Sequence, residues 1–281
     1  IIQLKQQEIM AATKTAAPKK QGFQGVRHAI IIIICAFIVG WAFYNFFLGN
    51  PSNFANGDRE GHPLNMLGTV YKGGWVVPII LGLLCTVIAM SCERILAISA
   101  CAGKGNVTKF TENVKAALKA GDIAKAKEIC NKQQGSVANV VLADLKAYEE
   151  MEKATINLKE KIANINNAHE EATALEMPTM TMNLPIIATI VTLGTLTALF
   201  GTVLGMIRSF AALAAGGGAD SMALSTGISE ALVNTASGIA TSWVSVVSYN
   251  YFTNRIDKLT FAMDEIGYTI AHTFEDKHPE A

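Results

Sequence analysis

The sequence predicts an all-α integral membrane protein with four transmembrane helices and long cytoplasmic helical extensions. Three observations carry that expectation. Hydrophobic residues make up 51% of the chain and charged residues 16%, with mean hydropathy +0.31, whereas soluble domains carry about 25% charge. Four stretches are mainly apolar for the roughly 20 residues that a bilayer requires. The last of them keeps a carboxylate, Glu230, inside an otherwise apolar, small or hydroxylated run from Leu224 to Phe252. An acid at membrane depth costs roughly 2.5–3.5 kcal/mol on insertion scales, so a chain that retains one generally uses it.

Residues 1–28 read as a cytoplasmic N-terminal tail, lysine-rich around Ala12–Gln21, with either Ile1 or Met10 as its start. The first span, 29–48, ends in an aromatic belt of Trp41, Tyr44 and Phe46, and lacks a signal-peptide cleavage pattern. A periplasmic loop, 49–74, is rich in turn formers such as Asn50-Pro51, Gly57, Gly61 and Pro63. The second span is 75–98, with Pro78 in its first turns, where a missing donor is tolerated. A cytoplasmic helical domain follows over 99–183. Within it Asn106 caps one helix, Gly121-Asp122 ends that helix and caps the next, and a single long pattern runs from Gly135 through Ala172. Pro178 and Pro185 punctuate the entry to the third span, 184–215. A periplasmic turn at 216–223, the fourth span at 224–252 and a cytoplasmic C-terminal helix and tail at 253–281 complete the chain.

Basic residues set the orientation. Lys14, Lys19, Lys20 and Arg27 precede the first span, Arg94 ends the second, and Arg255 and Lys258 follow the fourth. Both termini are accordingly expected in the cytoplasm of a multi-pass inner-membrane protein. Arg208, toward the external end of the third span, dissents; it either snorkels outward or lines a path.

Steps of three and four residues from Glu230 give an unbroken polar stripe: Thr226, Glu230, Asn234, Ser237, Thr241, Ser245 and Ser248. Such a stripe with one acid suggests the lining of a proton or cation path. The third span shows a hydroxyl row (Thr189, Thr192, Thr195, Thr202, Ser209) beside a small-residue face (Gly194, Ala198, Gly201, Gly205). The small face is expected to pack against another helix, and the hydroxyl row to look into a lumen. With so short a turn after it, the third span returns antiparallel against the fourth, bringing Thr202 opposite Glu230, with Thr235 deeper. Glu230 is then expected as the only titrating group at its depth. The candidate path residues are Glu230, Thr202, Thr235, Thr195, Asn234, Thr226, Ser237 and Thr241, with Arg208 beside them; Gly194, Gly201 and Gly205 are helix-packing residues.

Ala198-Leu-Phe-Gly-Thr-Val-Leu-Gly-Met-Ile-Arg-Ser-Phe210, followed by Gly227-Ile-Ser-Glu-Ala-Leu-Val-Asn-Thr-Ala-Ser-Gly-Ile239, resembles the MotA/TolQ/ExbB proton-channel family, specifically its ExbB branch. The resemblance covers about the last third of the chain and is loose across the cytoplasmic block. It implies a pentameric ring around transmembrane helices of an ExbD-like protein, which brings an essential aspartate. The proton-motive force then drives a TonB-like protein that opens outer-membrane transporters for iron chelates, haem and cobalamin. It places functional positions at Glu230, Thr202 and Thr235. Relatives in that branch have three spans, so 29–48 is an extra leading helix, expected at the periphery of the assembly.

Other classes fit less well. Net charge is zero, which speaks against a nucleic-acid partner. The five histidines are scattered without ligand spacing, and the five cysteines form no CxxC pair, so no metal, cofactor or enzymatic role is expected. One membrane acid, one lined face and no inverted repeat suit oligomerisation around a partner better than a self-contained transporter. The alternatives are a TolQ-like subunit of an envelope-maintenance motor and, in a different class, a non-conducting membrane scaffold whose polar stripes only pack helices.

Overall fold

Both the apolar runs and the capped amphipathic runs become helices. The computed structural model describes residues 29–59, 61–215 and 221–278, with nine α-helices among them. The predicted tail 1–28 and most of the predicted turn 216–223, including Gly216-Gly217-Gly218, lie outside the described residues. The chain forms two compact units, one from Ser99–Glu176 with the segment from Leu259 onward, the other from the segments up to Ile98 and Met177–Lys258.

In the second of these units, α1 (Ala29–Ala42) continues into a π-helical turn, Phe43–Leu48, closed by Gly49 N–H donating to Tyr44 O at 2.9 Å. A short helix α2 (Met66–Tyr71) precedes α3 (Val76–Ala102). Between α1 and α2 the loop is an ordered cap and not merely a set of turns. Asn53 donates Nδ2 to the Phe47 and Leu48 carbonyls and accepts from Asn65 Nδ2, each at 2.9 Å. Helix α1 crosses α3 at paired glycines: a Cβ on Gly40 would sit 2.7 Å from Gly82 N, and one on Gly82 would meet the Phe37 ring at 2.6 Å. Its remaining faces leave Ile30, Ile31, Ile34, Ile38 and Trp41 exposed, as lipid-facing residues are. Leu83, Val87 and Ile190 form a buried cluster against which Phe37, Ile186 and Val244 pack.

Arg94, read from the sequence as ending the second span, lies within α3. It is fully buried, its Nε and Nη2 donating to the neighbouring Glu93 carboxylate. A buried guanidinium requires such a counter-charge.

Asn183, at φ +65, separates α7 (Leu158–Thr181), which contains Pro178, from α8 (Leu184–Ala215). The final helix, α9 (Ser221–Lys277), is one unbroken element of 57 residues; the predicted fourth span and C-terminal helix are its two parts. Among the described residues three helical stretches are long and apolar enough to cross a membrane: Ala29–Leu48, Val76–Lys119 and Leu184–Ala211. Leu224 to Phe252 is helical throughout but is not one of them, because its hydroxyls, amide and glycines dilute the apolar content.

In the other unit, Asn106 Oδ1 accepts from Thr108 N at 2.9 Å to start α4 (Val107–Lys119), and Asp122 Oδ1 accepts from Lys125 N at 2.8 Å to start α5 (Ile123–Gln133). Both caps satisfy donors that a helix N-terminus leaves orphaned. The single pattern predicted from Gly135 is two helices, α6 (Gly135–Lys153) and α7, broken where Asn157 caps the second by accepting from Glu160 N at 2.7 Å. Val114, Leu118, Val141, Leu145, Met263 and Phe274 lie in the core. Lys115–Glu265 and Lys127–Glu149 pair at its rim. All five cysteines are free; burial, with Asp144 nearby, pushes the Cys130 thiol up to about 12 and leaves it unreactive.

Inside this core His169 bridges two acids on different helices, Nδ1 to Asp144 Oδ2 at 2.9 Å and Nε2 to Asp264 Oδ1 at 3.3 Å. The hydrogen bond to Asp144 raises the His169 pKa, with Asp264 adding to it, while burial raises that of the fully buried Asp144. A group raised on folding contributes stability that is complete below its unfolded value and is lost as pH climbs through its folded value. For His169 that loss begins above about 6.5, and Asp144 acts in the same direction. The thermal midpoint of the intact chain in detergent is expected to fall from about pH 6 to about pH 9. His169→Gln should flatten that dependence; an unchanged slope would contradict the bridge.

Candidate functional site

Helices α8 and α9 run antiparallel at backbone contact. A Cβ on Gly194 would sit 2.7 Å from Ser242 Oγ, one on Gly205 2.8 Å from Gly227 O, and one on Gly238 2.2 Å from Ala198 Cβ. Small residues on both partners permit this spacing, and the three glycines marked for packing in the sequence all lie in the contact.

Hydroxyls interleave with the glycines. Thr195 Oγ1 lies 2.9 Å from Ser242 Oγ, and Thr202 Oγ1 lies 2.5 Å from Thr235 Oγ1. Ser245 donates to Ile187 O at 2.6 Å and Ser209 to Leu224 O at 3.2 Å. The sequence placed the hydroxyl row of the third span on a face of its own, whereas in the structure Thr195, Thr202 and Ser209 of that row share the α9-facing side with the glycines, and Thr189 bonds its own helix at Pro185 O. Thr195 and Thr202 directly follow Gly194 and Gly201, and at so close a crossing both positions of each pair reach the neighbouring helix.

The predicted path residues separate by burial. Glu230, Asn234 and Thr241 are buried, Thr202, Thr235 and Ser237 are half-buried, and Thr195 and Thr226 are exposed. Thr241 turns its hydroxyl onto its own helix, donating to Ser237 O at 2.9 Å. Asn234 stacks on Gly201, where a Cβ would come within 2.8 Å of Nδ2. Neither Oδ1 nor Nδ2 of Asn234 has a hydrogen-bond partner among the described residues. A buried amide in that condition suits a water-sized polar guest.

Glu230 is not the only charged group at its level. Arg208 Nη1 donates to Oε1 at 2.7 Å and to Oε2 at 3.0 Å. The acid side chain is 8% exposed and the guanidinium 54%, so one partner is enclosed while the other reaches outward. Thr202 faces Thr235 and not Glu230, because Glu230 lies more than a turn closer to the start of α9. The two helices thus present an ion pair followed by a hydroxyl pair along one seam. Such an array can hold charge in place and pass or bind water beside it. Arg208 carried a signal in the sequence, as a basic residue inside a span near its expected external end. Gly74, which no pattern singles out, also borders the Glu230 carboxylate.

Removing Arg208 leaves the enclosed Glu230 carboxylate without its partner, at a cost of about 1–3 kcal/mol. Arg208→Leu is expected to destabilise the protein in detergent by about that amount, and Arg208→Leu with Glu230→Gln by clearly less. A double-mutant coupling near zero would show that the pair does not hold the helices.

Residues 137–265 match the MotA/TolQ/ExbB proton channel family, beginning in α6 and so including α6 and α7, where the sequence motifs are loose. The chain is 31% identical over 141 residues to a biopolymer transport protein ExbB of Pseudomonas putida, covering 49% of this chain and 42% of that protein. It is 34% identical over 113 residues to a Tol-Pal system protein TolQ of Pseudomonas aeruginosa, covering 40% of this chain and 46% of that one. Over 95 residues it is 36% identical to a protein described as a biopolymer transport protein ExbB homolog in Methanothermobacter thermautotrophicus, covering 34% and 33%. The chain thus spans less than half the length of each of these relatives. Residues 137–265 are thus where the chain is similar to the MotA/TolQ/ExbB proton channel family.

Proposed function

We propose that this chain is the proton-channel subunit of an ExbB-ExbD-TonB-type motor in the bacterial inner membrane. In this reading Leu224 to Phe252 is a fourth span, both termini are cytoplasmic, and five copies surround transmembrane helices of an ExbD-like partner. The observation that carries it is the enclosed Glu230–Arg208 pair on antiparallel helices inside the family-matched stretch. Protons enter from the external side, neutralise an acid of the partner within the ring and leave toward the cytoplasm. Glu230 and Arg208 fix the local field at the outer end, and the Thr202–Thr235 pair holds water or a proton deeper along the seam. One charge crossing 100 mV is worth about 2.3 kcal/mol, so a few protons suffice to change which ring face the partner favours. The motor then acts through a TonB-like protein on outer-membrane import of iron chelates, haem or cobalamin.

A TolQ-like role in envelope maintenance is the second reading, favoured by the TolQ relative, which matches at an identity similar to that of the ExbB relative. Glu230→Gln at native expression is expected to abolish energy-dependent haem or iron-chelate uptake while the complex still co-purifies. Uptake retained with outer-membrane integrity lost would favour the TolQ-like role. Both functions retained would contradict a role for Glu230 in energy conversion and leave the scaffold reading.

A further inference from the structure

The wall of the Glu230 site opposite α8 comes from a part of the chain that the family match does not reach. Gly73 and Gly74 close the turn between α2 and α3, with Gly73 N–H donating to Val70 O at 3.0 Å and Gly74 N–H to Tyr71 O at 3.3 Å. Gly74 adopts φ +79, in the left-handed region open to glycine. A Cβ there would fall 2.3 Å from Glu230 Oε1, 3.0 Å from its Cδ and 3.7 Å from Arg208 Nη1. The carboxylate thus rests on bare backbone. The brace behind that backbone belongs to the extra helix: the Tyr44 hydroxyl donates to Tyr71 O at 3.0 Å, the same carbonyl that receives the Gly74 N–H, and the two rings stack at 4.6 Å.

We infer that Gly74 is a positioning residue for Glu230, its missing side chain leaving room for the carboxylate against Arg208, with Tyr44 of the π-helical turn after α1 holding the turn in place. This rests on the reading of Glu230 as the group that serves the proton path. A methyl at Gly74 meets the flexible end of a side chain and not another backbone, so the carboxylate is what yields, and its bonds to Arg208 are disturbed. Gly57 supplies the matching control in the same loop. It has φ +70, and a Cβ there would meet only Pro51 Cβ, at 3.8 Å, so Gly57→Ala carries the backbone strain without touching the site.

The experiment is labelling of the purified chain with dicyclohexylcarbodiimide, a membrane-permeant reagent that modifies protonated carboxyls in apolar surroundings, a form that an ion pair to arginine disfavours. Modification of Glu230 is followed by peptide mass spectrometry, and proton-driven uptake is measured in parallel. Gly74→Ala is expected to speed modification of Glu230 by about tenfold, as a shift of roughly 1.4 kcal/mol would, and to abolish uptake. Gly57→Ala should match the unsubstituted protein in both. Tyr44→Phe adds no bulk and covers the event that Gly74→Ala does not fold; it should raise labelling by about twofold through a looser turn. Labelling unchanged in Gly74→Ala, or in Tyr44→Phe should the alanine variant not fold, overturns the positioning role. Labelling raised equally by Gly57→Ala overturns it too, since strain alone would then account for the effect. Raised labelling with uptake intact upholds the positioning and instead removes Glu230 from the energy-converting path.

Discussion

Backbone-to-backbone contact between α8 and α9 is the constraint on which the site depends. Only glycine and alanine at Gly194, Ala198, Gly205, Gly227, Ala231 and Gly238 let the two helices come so close, and only at that spacing does Thr202 reach Thr235. The same approach brings Arg208 onto Glu230. A carboxylate enclosed without its counter-charge would cost several kcal/mol, so the small-residue seam and the ion pair support each other. In lipid, where burying apolar surface brings no gain over contact with acyl chains, close packing and polar bonds of this kind are what hold helices together.

The unit built from α4, α5, α6 and the parts of α7 and α9 beyond the spans follows different physics. Its helices bury one apolar stripe each and leave charges at the rim, as water-exposed bundles do. Its one departure is the fully buried Asp144, compensated by His169. The polar seam of the membrane-type unit is made mostly from hydroxyls, whose bonds do not depend on pH. In the other unit a titrating imidazole joins α6, α7 and α9, so its cohesion follows the pH of the compartment it faces.

Much of this was legible in the sequence because the responsible signals are local. Hydropathy over one span's length fixed 29–48 and 184–215, and Asn106 and Asp122 announced their helices as caps. The break between α6 and α7 was hidden because helix-compatible residues and alternating charges continue across it. The continuity of α9 was likewise obscured by a fall in apolar content that suggests an end where the backbone has none. At the site, residue type and spacing brought out Glu230, Asn234, Thr202 and Thr235. What they did not reveal was the pairing, because whether Glu230 meets Thr202 or Arg208 depends on the register of two helices, between residues more than twenty positions apart in the chain. Gly74 and the Asn53 network left no pattern at all, since a glycine that receives a distant carboxylate looks like any turn glycine.

The fit of the Ala198 methyl into the gap left by Gly238 has a mechanical meaning. Sliding α8 by one helical turn, about 5.4 Å, would set that methyl against Asn234 or Ser242, neither of which leaves space for it. The hairpin therefore has one register and behaves as a single stiff beam. A machine made from such beams moves by rolling or tilting them whole against their neighbours, with the seam inside each one carried along unchanged.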